Sequence, residues 1–177
     1  MAQHPSTLEL RLVPATEADH SRLADLINAA FDIYPFMGGP RTSAEGIAEE
    51  LGATGVFIVA EDDAQTVGCA MLRPASEIDW GIATPPGLHN ADVMYLGLVA
   101  VDPAIQKRGL GRRIILEAEH TARRQGFAKV ALGTLTEQGN PRYYEALGYR
   151  TVARQQFEAG HWYQTIPHEF CVMVKEL

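Results

Sequence analysis

Residues Tyr95 to Leu116 constrain the fold more than any other stretch: an apolar run stops at Asp102-Pro103 and restarts as an amphipathic helix, with glycines at the joint. Leu96 to Val101 is short and rich in Val and Leu, which reads as a largely buried strand, and Pro103 ends its ladder. Beyond it Leu110, Ile114, Ala118 and Ala122 recur every fourth residue. Arg112, Arg113, Glu117 and Glu119 fall between them, so the helix is expected to turn one apolar stripe to a core. Arg123, Arg124 and Gly126 close it.

A strand that feeds a helix through Gln106-Lys-Arg-Gly-Leu-Gly111 leaves the helix's first N–H groups without intrahelical partners, at the positive end of the helix dipole. That arrangement suits an anion, and a pyrophosphate above all. Gly109 and Gly111 allow close approach of backbone to phosphate oxygens, while Lys107, Arg108, Arg112 and Arg113 add positive charge. Two other phosphate loops are excluded by spacing. The dinucleotide fingerprint needs a third glycine where Ile114 stands, and no G-x-x-x-x-G-K-[ST] occurs.

The pattern that does match is Q/R-x-x-G-x-G/A, at Gln106-Lys-Arg-Gly109-Leu-Gly111, after a Val-Asp-Pro strand end. A second hallmark follows, an Asn and then Y-E-x-L-G-F/Y, as Asn140 and Tyr144-Glu-Ala-Leu-Gly-Tyr149. By these two motifs the chain resembles the GNAT superfamily of acyl-CoA-dependent N-acyltransferases, most strongly from Tyr95 to Tyr149. The spacing of Asn140 departs from the common pattern, standing four residues before Tyr144 rather than two helical turns. Both side chains still share a helix face, but Asn140 could serve either the cofactor or only as a cap.

Length and composition suit this. With 177 residues, 46% of them apolar, the chain is expected to form one domain over 8–177 behind a flexible end at 1–7. A net charge of −7 argues against nucleic-acid or anionic-membrane partners. No signal peptide or transmembrane-length run is visible, and Cys69 and Cys171 read as reduced core residues of a cytoplasmic protein.

Along the chain, Leu8 to Val13 alternates as a first strand, and Thr16-Glu-Ala-Asp19 opens a helix in the manner of a capping box, with Leu23, Leu26, Ile27 and Ala30 as its buried face. Phe31 to Arg41 is a loop carrying Phe31, Tyr34 and Phe36, and Thr42-Ser-Ala-Glu45 caps a second helix through Leu51. Val56 to Ala60 and Val67 to Leu72 form a hairpin. Arg73 to Asn90 is a long connection containing Trp80, of a length often reserved for function. Lys129 to Thr134 is a further buried strand. Asn140-Pro141 starts a short helix as cap and first turn, Gly148 stops it, and Tyr149 to Phe157 and Phe170 to Lys175 are closing strands.

The resemblance implies an α/β (α+β) fold, a mixed sheet of about six to seven strands with about four helices, splayed between the central strand and the next. It implies acetyl-CoA as co-substrate, no metal, and direct transfer of acetyl to a small-molecule or protein amine. The pantetheine would pair with the edge Leu98, Val99, Ala100 and Val101, with the Val99 N–H facing the thioester carbonyl. Gln106, Lys107, Arg108, Gly109, Leu110, Gly111, Arg112 and Asn140 would hold the cofactor, and Tyr144 would donate a proton to its sulfur. Tyr34, Phe36, Trp80 and Tyr95 would line the acceptor site. Many relatives carry a Glu on the central strand as general base, where this chain has Gly97. Deprotonation then falls to Asp92, to a residue of the 73–90 loop, to Tyr95 or to water chains with no single base, a water relay with a loop carboxylate being the favoured expectation. A homodimer is common among such proteins, though no residue specifies one. The contrasting expectation is a CoA-binding sensor without turnover.

Overall fold

The computed structural model describes residues 8–177, so the expected flexible end at 1–7 lies outside the described residues. Strands β1 (Glu9–Pro14), β2 (Val56–Asp62), β3 (Gln65–Pro74), β4 (Val93–Val101), β5 (Lys129–Leu135), β6 (Arg150–Phe157) and β7 (His168–Glu176) form one sheet. Their order is β1-β2-β3-β4-β5-β7-β6, antiparallel everywhere except between β4 and β5. The crossover between those two is α3 (Leu110–Arg124), as a parallel pair requires.

The helices α1 (His20–Phe31) and α2 (Ala44–Leu51) cover one face, where Leu23, Ile27, Ile47 and Leu51 meet Phe57, Val59, Cys69 and Met71. On the opposite face α3 lays Ile114, Ile115 and Ala118 over Ile58, Leu72 and Leu96, and α4 (Asn140–Ala146) adds Tyr144. The fourfold stripe predicted for α3 is buried as expected. Glu119 is not: it was expected on the charged face but is 4% exposed. Its carboxylate accepts from Tyr149 Oη at 3.1 Å and from Lys175 Nζ at 2.6 Å, which removes the need for water.

The helix starts differ in detail from the sequence reading. Asp19 and Ser43, rather than the threonines before them, are the N-caps, accepting from the N–H groups of Arg22 and Gly46. At α4 the cap is Gly139, and Asn140 already lies inside the helix, so Asn140 does not cap. Trp80, expected on an accessible loop, is 4% exposed and packs with Leu88 on Val93, Ala131, Val172 and Val174. The long connection therefore closes a third cluster of the core. Among the described residues no helix is long and apolar enough to cross a membrane.

Replacing Glu119 by Ala would strand Lys175 and Tyr149 without their acceptor, and we expect a loss of about 3 kcal/mol. Urea unfolding should show this as a lower midpoint at unchanged slope, with a smaller loss for Glu119→Gln.

Candidate active site

β4 carries the site because it leaves the sheet halfway along. It pairs with β5 only from Val93 to Tyr95, opposite Lys129 to Ala131. On its other side Gly97 faces Met71 and Ala100 faces Cys69, so Leu98 and Val99 together oppose Ala70. This is a β-bulge, and Leu98 takes φ +48 within it, a conformation unusual for a leucine. The bulge breaks the alternation of the strand: Leu98 packs on the α1 and α2 side while Val99 packs on the α3 side. Among the described residues, the β5-facing edge of β4 has no strand partner past Tyr95, and this open edge includes Leu98, Val99, Ala100 and Val101.

At the end of that edge the chain turns into α3. Lys107 has φ +63 and Gly109 φ +82, so left-handed residues alternate with others, the pattern of turns whose N–H groups can cradle an anion. Among the described residues, no hydrogen bond is recorded from the N–H groups of Gly109 to Arg112, and the first α3 bond in this region runs from Arg113 to the Gly109 carbonyl. Gln106 has a different task from its neighbours. Its side chain donates to the Val101 carbonyl at 3.1 Å and so ties the loop to the strand end. Tyr143, which the sequence reading left aside, has its hydroxyl 3.6 Å from where a Cβ on Gly111 would lie. The adjacent Tyr143-Tyr144 pair was the only signal for it.

Tyr144 projects from α4 into the core side of the gap, 9% exposed, with edge contacts to Tyr143 and Tyr149. Burial, then the neighbouring Tyr143, Tyr34 and Tyr95, push its phenol far up, so it stays protonated. The same interactions set these tyrosines near one another, and they frame the candidate cleft. Tyr34 is also raised by burial, an effect the neighbouring Asn140 amide partly offsets. Asn140 Nδ2 further donates to Gln138 Oε1 at 2.9 Å, so this side chain braces the wall of the cleft.

Phe36 stacks on Tyr34 with ring centres 5.6 Å apart. Their loop is locked to the β6–β7 connection, where Thr165 donates its N–H and its hydroxyl to the Phe36 carbonyl and Gly38 N–H donates to Tyr163. The sequence reading did not identify this second wall. A cavity of about 470 Å³ beside Phe31, Met37 and Arg41 is separate, since Tyr34, Tyr95 and Tyr144 do not line it.

Trp80 meets Tyr95 edge-on, at 5.3 Å between ring centres. Tyr95 in turn lies across Gly97: a Cβ there would stand 2.5 Å from the Tyr95 ring and 2.7 Å from its hydroxyl. The space that a strand carboxylate would need is thus occupied by a phenol, pushed up to about 12 by burial. Asp92 stands before the closed end of β4, about 20 Å of strand from Val99. Glu77 is held charged below the usual carboxylate range by hydrogen bonds from Arg73 and Thr54, and Asp79 accepts from the Gly81 N–H. Cys69, wholly buried with its thiol pushed up to about 12, is no nucleophile.

Gly97→Ala should therefore destabilise the protein by about 1–3 kcal/mol. Combining it with Tyr95→Ala should recover part of that loss relative to the sum of the single changes, as thermal melts of the four proteins would show.

Comparisons with known proteins bear on the family and the fold. The model of the Acetyltransferase (GNAT) family matches residues 23–149. Mycothiol acetyltransferase of Gordonia bronchialis is 31% identical over 125 residues, 67% of this chain but 35% of that protein, so the chain spans about a third of this curated relative. Among solved structures, the ribosomal-protein-S18-alanine N-acetyltransferase of Escherichia coli superposes with a TM-score of 0.71 at 16% identity, covering 96% of this chain and 94% of the other. Salmonella typhimurium yncA, solved with its cofactor acetyl-CoA, gives 0.67 at 19% identity over 96% and 94%. At these identities the structural matches speak for the fold, and the family match speaks for descent. The chain belongs to the GNAT family of acetyltransferases.

Proposed function

We propose that residues 8–177 act as one acyltransferase unit that moves an acetyl group from acetyl-CoA to a primary amine. The observation that carries this reading is an open β4 edge running from a protonated, buried Tyr144 to a loop of unpartnered N–H groups. A diphosphate fits the loop because the N–H groups of such a turn and the start of α3 both favour negative charge, with Lys107, Arg108 and Arg112 exposed around it. A pantetheine fits the edge because its amides can take up hydrogen bonds that β5 leaves unmade.

When bound, the co-substrate supplies an acetyl thioester already reactive toward amines. The residues of this chain then have distinct tasks. The Val99 N–H, turned by the bulge at Leu98, would donate to the thioester oxygen as negative charge grows there. Tyr144 would hold its proton until the sulfur leaves, which its high pKa permits. Tyr34, Phe36 and Tyr95 would position the amine, and Trp80 would support Tyr95 from behind. The acceptor is a small-molecule or protein amine, in keeping with the names of the relatives above. No step of this reading calls for a metal, a nucleic acid or a membrane. Residence in the cytoplasm and a homodimer are compatible with it.

A second reading, a CoA-binding sensor without turnover, is favoured only by the missing carboxylate at Gly97. The test separates the two. Incubation with acetyl-CoA and a panel of amines should release free thiol, and Tyr144→Phe should slow that release on the order of 10²-fold with CoA affinity unchanged. Binding of CoA without thiol release across the panel would favour the sensor.

A further inference from the structure

If Gly97 supplies no base, the acceptor ammonium must lose its proton elsewhere, and the surroundings of Tyr95 indicate where. The Tyr95 ring is held in place by Trp80 at its edge and by Gly97 beneath it. Arg73 lies directly opposite Tyr95 in the β3–β4 register, and its guanidinium reaches α2, donating to the Glu50 carbonyl at 2.7 Å. The last turn of α2 is thereby drawn to the side of the cleft where Tyr95 lies. Burial first and then the Glu50 carboxylate raise the Tyr95 phenol, and Arg41 lowers it, in keeping with that placement of the end of α2.

From this arrangement we infer that Glu50 draws a proton from the acceptor ammonium through the Tyr95 hydroxyl, taking over the task of the absent strand carboxylate. The inference rests on the acetyltransferase reading above. Tyr95 would touch the amine, and Glu50 acts through it as a positioning and proton-accepting residue. The other charged groups around this pair are accounted for. Arg41 pairs with Glu50 at 3.2 Å, Arg73 is bound to Glu77 at 2.9 Å, and Tyr34 and Tyr144 remain protonated phenols.

The step balances without a further reactant. The ammonium gives one proton to Tyr95 as Tyr95 passes its own to Glu50. The freed amine forms the C–N bond as the C–S bond breaks, and the sulfur takes the proton of Tyr144. The second nitrogen proton restores Tyr144, and Glu50 releases its proton to water.

The Arg41–Glu50 pair is about a third exposed on both sides, so Glu50→Gln should fold normally. Glu49 on the same helix is exposed and serves as the control position. Two measurements decide the matter. In alkaline absorbance titrations, the ionisation step lost in Tyr95→Phe should move to lower pH in Glu50→Gln and stay in place in Glu49→Gln. In amine acetylation near neutral pH, Glu50→Gln and Tyr95→Phe should each lower kcat/KM on the order of 10²-fold, and the double variant should be no worse than the weaker single one.

The deficit should shrink as pH rises and supplies neutral amine, whereas a merely structural loss would persist. An unmoved Tyr95 step, or wild-type rates in Glu50→Gln, would overturn the inference while leaving the acetyltransferase reading intact. Absence of turnover in the wild-type protein would instead sink that reading and this inference with it.

Discussion

Because Leu98 and Val99 together face the single residue Ala70, β4 turns away from β5 after Tyr95, and almost every property of the site follows from that departure. An extra residue in one strand of an antiparallel pair increases the local twist. Here it does so in the middle of the sheet, where a parallel neighbour cannot follow. The open edge that results would be costly in an unliganded core strand, since its polar groups lack partners. It becomes useful if an amide-bearing ligand completes the ladder.

The strain at Leu98, φ +48, and at Lys107, φ +63, falls at the two places where the proposed function has the backbone present N–H groups. Non-glycine residues in this region cost about 1–3 kcal/mol each. The surrounding core is what tolerates them. Leu98 is fixed by its burial among the α1 and α2 side chains, and the Lys107 loop is tied down by Gln106 on the Val101 carbonyl and by Asp102 on the Ala104 N–H. On the far side of α3, Glu119 joins Tyr149 and Lys175, so the helix whose start forms the loop is anchored by a buried ionic contact.

Much of the fold was legible in the sequence because its signals are local. The α3 stripe, the Gly-rich turn and the β2–β3 hairpin each lie within a short window, and periodicity identifies them. The bulge was not legible, because Leu-Gly-Leu-Val-Ala-Val alternates plausibly in either register and only the pairing with Met71 and Cys69 decides. Glu119 reads as surface by residue type, and only the distant Lys175 and Tyr149 reverse that. The role of Asn140 as a cap was overturned because Gly139, in the left-handed region, takes that position. Within the candidate site the tyrosines could be named individually, but their convergence could not. Glu50 carries no motif, and only the folding of α2 onto β3 through Arg73 brings it near Tyr95.

The account turns on whether main-chain amides between Lys107 and Arg112 hold a diphosphate. A titration of isotopically labelled protein with coenzyme A, followed by amide nuclear magnetic resonance, addresses this directly. The Gly109 and Gly111 N–H signals should shift strongly and saturably, while those of the β1–β2 pair stay in place. Unmoved glycine signals at saturating coenzyme A would contradict the account, whatever else the ligand touched.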